Sequence, residues 1–264
     1  MVFPCSVTQN LHPEAVATKC RKIFVVVLIT VISGMVAYGL LKRQNEPKYQ
    51  GRYLSEWLEK EWLDKSQRSE SEYWESGKPD AEVEVAVRSI GTNALPHLMK
   101  LIADQPPEWR YDLGRKLPAF ITTRAPFAGW LGADLNRRRS FGCIGLTILG
   151  TNAVSVIPEL QARLKSATNS GYAYPDYAFP GQIGLASIGA PAIPALKAAF
   201  TDPNQPNRYV VIYALRSMAY IHRTNFGLPI LMEALDDDDV KVRSEATNAI
   251  LAYAPHLLTN APAK

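Results

Sequence analysis

Four consecutive aspartates, Asp236–Asp239, are the densest group of ligand-type side chains in the chain and raise the possibility of a cation site. A calcium loop spaces its oxygen ligands alternately, turns on a glycine and closes with a glutamate; this run has none of these features. The better reading is a helix start, where each acid placed beside unpaired N–H groups contributes ~0.3–1 kcal/mol. The cysteines, Cys5, Cys20 and Cys143, form no CxxC or CxxH group, and Cys143, alone within the folded region, reads as an inert core residue. His12, His97, His222 and His256 are scattered. His97 and His256 each follow a proline at a helix start, which favours a capping or surface role over ligation. The turns GTNA and GAPA lack the preceding strand and the Lys-Ser/Thr of a phosphate loop, and no Gly-x-Ser-x-Gly elbow occurs. No catalytic, cofactor-binding or metal-ligating residue is assigned, and no cofactor is expected.

Binding chemistry is better represented. Residues 104–135 carry Trp109, Tyr111, Phe120, Phe127 and Trp130 among Arg110, Arg115, Lys116 and Arg124. Residues 165–180 hold Tyr172, Tyr174 and Tyr177 in a Gly- and Pro-rich setting. Rigid amphipathic rings beside arginines suit a protein interface. They serve equally to cover apolar surface, so both readings stand. The candidate partner-binding residues are Trp109, Arg110, Arg124, Trp130, Tyr172, Tyr174 and Tyr177. Arg137–Arg139 point three ways around a helix and read as a solvated helix start.

The elements that position these residues follow from a repeated stripe. Counting from Arg243, small residues stand at +3 and +6 (Ala246, Ala249), an aliphatic at +7 (Ile250), a large apolar at +10 (Tyr253) and a small one at +11 (Ala254). The same offsets from Arg208, Ala178, Arg139 and Asp80 give the same classes, as in Gly181, Gly184, Leu185, Ile188 and Gly189. A helix with a small, apolar stripe is built to lie close against others, so the recurrence predicts a stack of helices. A second helix is expected after each, opened by Leu95-Pro96, Ile157-Pro158, Ile193-Pro194, Leu228-Pro229 and Ala254-Pro255, because proline's missing N–H has no partner in a first turn anyway. The copies are spaced by 59, 39, 30 and 35 residues, so an insertion follows the first. Arg208 and Arg243 are expected to pair with carboxylates or carbonyls of adjoining units.

The turns SIGTNALPHL, ILGTNAVSVIPEL and SIGAPAIPAL, with LDDDDVKVRSEATNAIL, resemble HEAT repeats of the short-unit kind found in phycobilisome-lyase-like proteins. The resemblance covers about residues 80–260. It implies an all-α fold, a right-handed α-solenoid of about five two-helix repeats, with insertions often on the binding face. Such solenoids are scaffolds, adaptors and occasionally enzymes. HEAT-like hydroxylases bind iron through His-Glu pairs, but no histidine here precedes a glutamate, and no residue carries over phycobilin-lyase chemistry.

Upstream, Ile23–Leu41 is an uncharged apolar run, long enough for a ~30 Å hydrocarbon core. Its length and the long basic lead favour a retained anchor over a cleaved secretory signal. The expected organisation is a tail (1–22), one transmembrane helix (23–41), a linker and capping helix (42–79, with the helix over 54–65 and Ser55 able to cap), and a repeat domain (80–260, insertion about 104–135). An uncleaved anchor with a short cytoplasmic lead would place the repeats outside the cytoplasm. Trp57 and Trp62 either pack on the first repeat or meet lipid headgroups.

Residues 1–48 hold six Lys/Arg and two Asp/Glu, so the net charge of +4 belongs to the membrane flanks and the rest is neutral. That balance argues against nucleic acid as the partner, although 104–225 is basic, with 13 cationic and 7 anionic residues, and HEAT-like DNA glycosylases use a cationic face. The expected function is a membrane-anchored scaffold for an unknown protein partner.

Overall fold

The computed structural model describes residues 26, 30, 33–34, 45–67, 79–103, 108–118, 122, 135–166, 180–205 and 207–254. The chain divides into two compact units, Met1–Glu46 and Pro47–Lys264. In the first, Val26, Thr30, Ser33 and Gly34 are helical, and the Thr30 hydroxyl donates to the Val26 carbonyl at 2.9 Å. The rest of the expected span and the 1–22 tail lie outside the described residues.

Among its described residues the second unit is helical apart from one hairpin, β1 (Lys48–Tyr49) and β2 (Arg52–Tyr53), antiparallel with Lys48 opposite Tyr53 and Tyr49 opposite Arg52. Gln50 and Gly51 turn it at φ 48° and 79°, as a two-residue turn between right-twisted strands requires. The stretch read from sequence as a linker is therefore paired backbone; two-residue strands are too short to show an alternation. Helix α1 (Leu54–Gln67) continues directly from β2. The Tyr53 N–H donates to Glu56 Oε2 at 3.1 Å, so Glu56 closes the start of the helix. Leu54, Trp57 and Leu58 are buried, Trp62 packs beside them, and the Trp57 indole donates to the Tyr49 carbonyl at 3.3 Å.

The helices that follow are α2 (Ala81–Ile90), α3 (Leu95–Ala103), α4 (Glu108–Lys116), α5 (Leu135–Leu149), α6 (Ile157–Lys165), α7 (Pro180–Ile188), α8 (Ile193–Thr201), α9 (Arg208–His222), α10 (Leu228–Glu233) and α11 (Val240–Tyr253). Helices α3, α6, α8 and α10 each open on the Leu/Ile-Pro pair that predicted them. Asp80 caps α2, its carboxylate accepting from the N–H groups of Glu82 (2.9 Å) and Val83 (3.3 Å). The buried Glu61 of α1 accepts the Asp80 N–H at 2.7 Å and so ties α1 to the start of α2.

The stripe forms the core: every stripe residue is buried except Gly91, Gly150 and Tyr253. Helices α2, α5, α7, α9 and α11 pack in sequence, each on the next, and α3, α6, α8 and α10 each pack on the stripe helix that follows. The small residues are what permit the approach. A Cβ built on Gly181 would lie 2.4 Å from Leu164 N and 2.5 Å from Leu160 O, so α6 and α7 meet backbone to backbone. Gly184 instead faces the Leu160 side chain, and Gly145 that of Leu98. Leu98, Leu160 and Leu164 are fully buried, and each contributes roughly 1.5–3 kcal/mol. Ion pairs join successive outer helices, Lys165 with Asp202 at 2.9 Å and Lys197 with Glu233.

His222, the last residue of α9, closes the end of α7. Its Nε2 lies 3.0 Å from the Ala186 carbonyl and 3.1 Å from that of Ser187, so it carries the proton and donates to the helix's last carbonyls. Its ring also covers Gly189, at φ 83°. Burial lowers the His222 pKa below the ordinary value, against the pull of the two carbonyls. The neutral ring is thus favoured in the fold, and its contribution, present above the unfolded value of about 6.5, falls away as pH drops through the folded value. Urea midpoints should decline from neutral pH towards pH ~5, and His222→Gln should flatten that decline.

Among the described residues one helical run, Arg137–Lys165, is long and apolar enough to cross a membrane by length and composition. It is two α-helices joined by a 3₁₀ turn, broken at Gly150 (φ 50°), and both helices pack on their neighbours. Its apolarity is that of a core helix pair.

Candidate functional site

Two surfaces of the second unit are candidates. The first is an open cleft of about 670 Å³ between α3 and α6, whereas α6 packs directly on α8. Leu95, Met99 and Val156 supply its apolar lining, and Lys100, Glu159 and Arg163 its polar groups. Glu159 and Arg163 are paired one helical turn apart at 2.9 Å, so their charges are spent on each other and do not converge on a shared point in the cleft. Ala103, the last residue of α3 and the one before the expected insertion, lines the cleft.

Within that insertion, α4 places Trp109 outward, 53% exposed, with the Arg110 guanidinium 5.5 Å from its ring. The other sequence candidates, Arg124, Trp130, Tyr172, Tyr174 and Tyr177, lie outside the described residues. Helix α5 begins at Leu135, which is buried, so Arg137–Arg139 occupy its first two turns. Arg139, in the repeat position, is buried, and Arg137 is held by Glu59 of α1 while lying 5.4 Å from the Trp62 ring and 5.5 Å from that of Phe141. An α1–α5 contact was invisible in sequence because the two helices are separated by the whole first repeat.

Asp236–Asp239 are structural. Asp239 caps α11, accepting the Lys241 N–H at 2.8 Å. Asp237, its side chain only 6% exposed, accepts from Arg208 of α9 at 2.8 Å and from the Asp239 N–H at 2.9 Å. Arg208 thus pairs with a carboxylate, and Arg243 donates to carbonyls, those of Asp237 and Asp238, at 2.6 and 2.9 Å. Asp237→Ala should cost about 1–3 kcal/mol in urea unfolding, since it leaves Arg208 half-buried without this partner. Among the described residues no group of three or more His, Cys, Asp or Glu is arranged to hold a metal. Burial pushes the Cys143 thiol up to about 11, so it carries no thiolate at neutral pH. Ellman's reagent should label Cys143 more slowly in the fold than after unfolding.

The second surface escaped the sequence reading. Tyr209, Tyr213, Arg216 and Tyr220 follow one another at helical spacing down a single face of α9, and Arg223 caps its end. Tyr209 and Tyr213 meet edge to face, ring centres 6.0 Å apart. Lys241 of α11 sits 3.5 Å over Tyr209, Arg216 lies 4.8 Å over Tyr213, and Arg223 6.0 Å over Tyr220. The Tyr213 hydroxyl donates to Glu245 at 2.9 Å, and Arg216 approaches the same carboxylate at 3.6 Å. Burial raises the Tyr253 phenol pKa, against the opposing pull of Arg216 and Arg223, so it stays a donor at neutral pH.

No family model matches the chain, and no curated protein or solved structure matches it either.

Proposed function

We propose that the chain is a membrane-anchored, HEAT-like α-solenoid whose repeat unit, tethered through residues 23–41, is a scaffold that holds another protein. The observation that carries this is the open, apolar-lined cleft between α3 and α6 at the root of the insertion, whose Glu159 and Arg163 pair with each other instead of converging as a catalytic set would. Supporting it, one five-position stripe is used as the buried face of five successive helices, each packed on its neighbours, as a repeat architecture requires. The uncharged 23–41 run supports the anchor.

The test is purification of the full chain in mild detergent beside a version with residues 104–134 replaced by a short Gly/Ser linker, sparing Leu135. Specific proteins that accompany the full chain and are lost from the deletion are the expected result. Equal recovery of the same proteins by both would remove the insertion from the interface. A chain that retains no protein in either form would overturn the scaffold reading.

A further inference from the structure

We propose that the β1–β2 hairpin is a second membrane contact, resting on the headgroups of an anionic bilayer close to where the chain leaves it, an inference that rests on the anchor reading and deepens it. The tether limits where the hairpin can go. Six residues separate Leu41, the end of the apolar run, from Lys48. Fully extended they reach about 24 Å, so the hairpin stays within that distance of Leu41. Contact with the bilayer is then intramolecular, and a weak attraction suffices to hold it.

The hairpin's composition matches such a surface. Lys48 and Arg52 are exposed, and among the described residues neither forms an ion pair. The Lys48 ammonium lies 4.2 Å from the Tyr53 ring and the Arg52 guanidinium 5.1 Å from that of Trp57. The acids nearest in sequence and across the hairpin are engaged otherwise: Glu46 is buried, Glu56 accepts the Tyr53 N–H, and Glu82 holds Lys60 at 2.7 Å. Tyrosine rings sit at headgroup depth in a bilayer interface, where long basic side chains reach the lipid phosphates.

A cavity of about 570 Å³ opens beside the hairpin, with Tyr49, Arg52, Trp57, Ala81, Glu82 and Val85 among its walls. Val85, on α2, is 53% exposed, so the cavity sets a cation beside an exposed apolar side chain. A phospholipid satisfies both, its phosphate meeting Arg52 and its upper acyl carbons Val85, whereas a soluble anion gains nothing from the valine.

The experiment uses the full chain in nanodiscs of phosphatidylcholine alone or with phosphatidylglycerol at about three to one, pulse-labelled with acetic anhydride and read lysine by lysine by mass spectrometry. Lys48 should label roughly threefold more slowly in the anionic discs, and about 0.5 M salt should remove the difference. Lys241, on α11 at the far end of the packed series of helices, should label alike in both. Arg52→Gln should lose most of the Lys48 protection, and Arg52→Lys should keep it. Equal labelling of Lys48 in the two discs, equal protection of Lys48 and Lys241, or full protection in Arg52→Gln would overturn the inference. So would protection in neutral discs on adding glycerol phosphate, which would make the site one for a free anion. A chain that enters the discs without protecting Lys48 leaves the anchor reading standing and removes this contact; a chain that does not enter them overturns both.

Discussion

Gly181→Val is expected to destabilise the chain by more than about 3 kcal/mol, the largest effect of any single surface-neutral change in the stack. The built Cβ of residue 181 already falls within 2.4 Å of Leu164 N and 2.5 Å of Leu160 O, both backbone atoms. No rotamer change relieves that overlap, so the whole of α6 must move from α7, and the branched methyls of valine enlarge the shift. Gly184 provides the contrast. Its built Cβ meets Leu160 Cδ2 at 2.5 Å, the end of a side chain that can turn aside. Gly184→Ala should therefore lose little, because its strain is partly offset by the roughly 1 kcal/mol gained when alanine replaces glycine inside a helix. Urea unfolding of the two variants checks the difference; similar losses for both would mean that the helices are not in backbone contact at Gly181.

Leu160→Ala should lose about 3–4 kcal/mol. Leu160 is fully buried, lies on α6 facing both glycines of α7, and has rigid helix backbone on the far side, so the site collapses poorly around the missing atoms. The same geometry predicts a rescue. In the double variant Leu160→Ala with Gly184→Ala, the new methyl on α7 enters the space that the leucine vacated. The pair should be less destabilised than the sum of the singles, with a coupling of about 1 kcal/mol. Additive losses would place residues 160 and 184 out of contact.

How far these contacts could be read without coordinates depends on what periodicity records. Small residues recurring at +3 and +6 identify a face that another helix must approach closely, and the burial of Gly142, Gly145, Gly181 and Gly184 follows that pattern. The Ile-Pro and Leu-Pro pairs marked helix starts because proline's chemistry is local. Asp237 was read as a helix-start acid and Arg208 as a cross-repeat partner, but their pairing with each other joins residues 29 apart and needs the packing of α9 against the next turn. The hairpin at Lys48–Tyr53 left no signature, since two-residue strands have no period. The partner of Arg137 was missed because α1, which receives it, is distant along the chain. The α9 face was overlooked for a different reason. Its Tyr and Arg residues repeat at spacings of four and three, just as the buried stripe does, and only the apolar stripe was followed around that helix.

The repeat architecture is tested most directly by native-state hydrogen exchange on the full chain carrying Leu160→Ala. In a stack where each pair leans only on its neighbours, the loss of protection should concentrate in α6, α7 and α5, and α11 should exchange as in the parent chain. A uniform loss across α2 to α11 would contradict the account, because it would mean that these helices share one indivisible core.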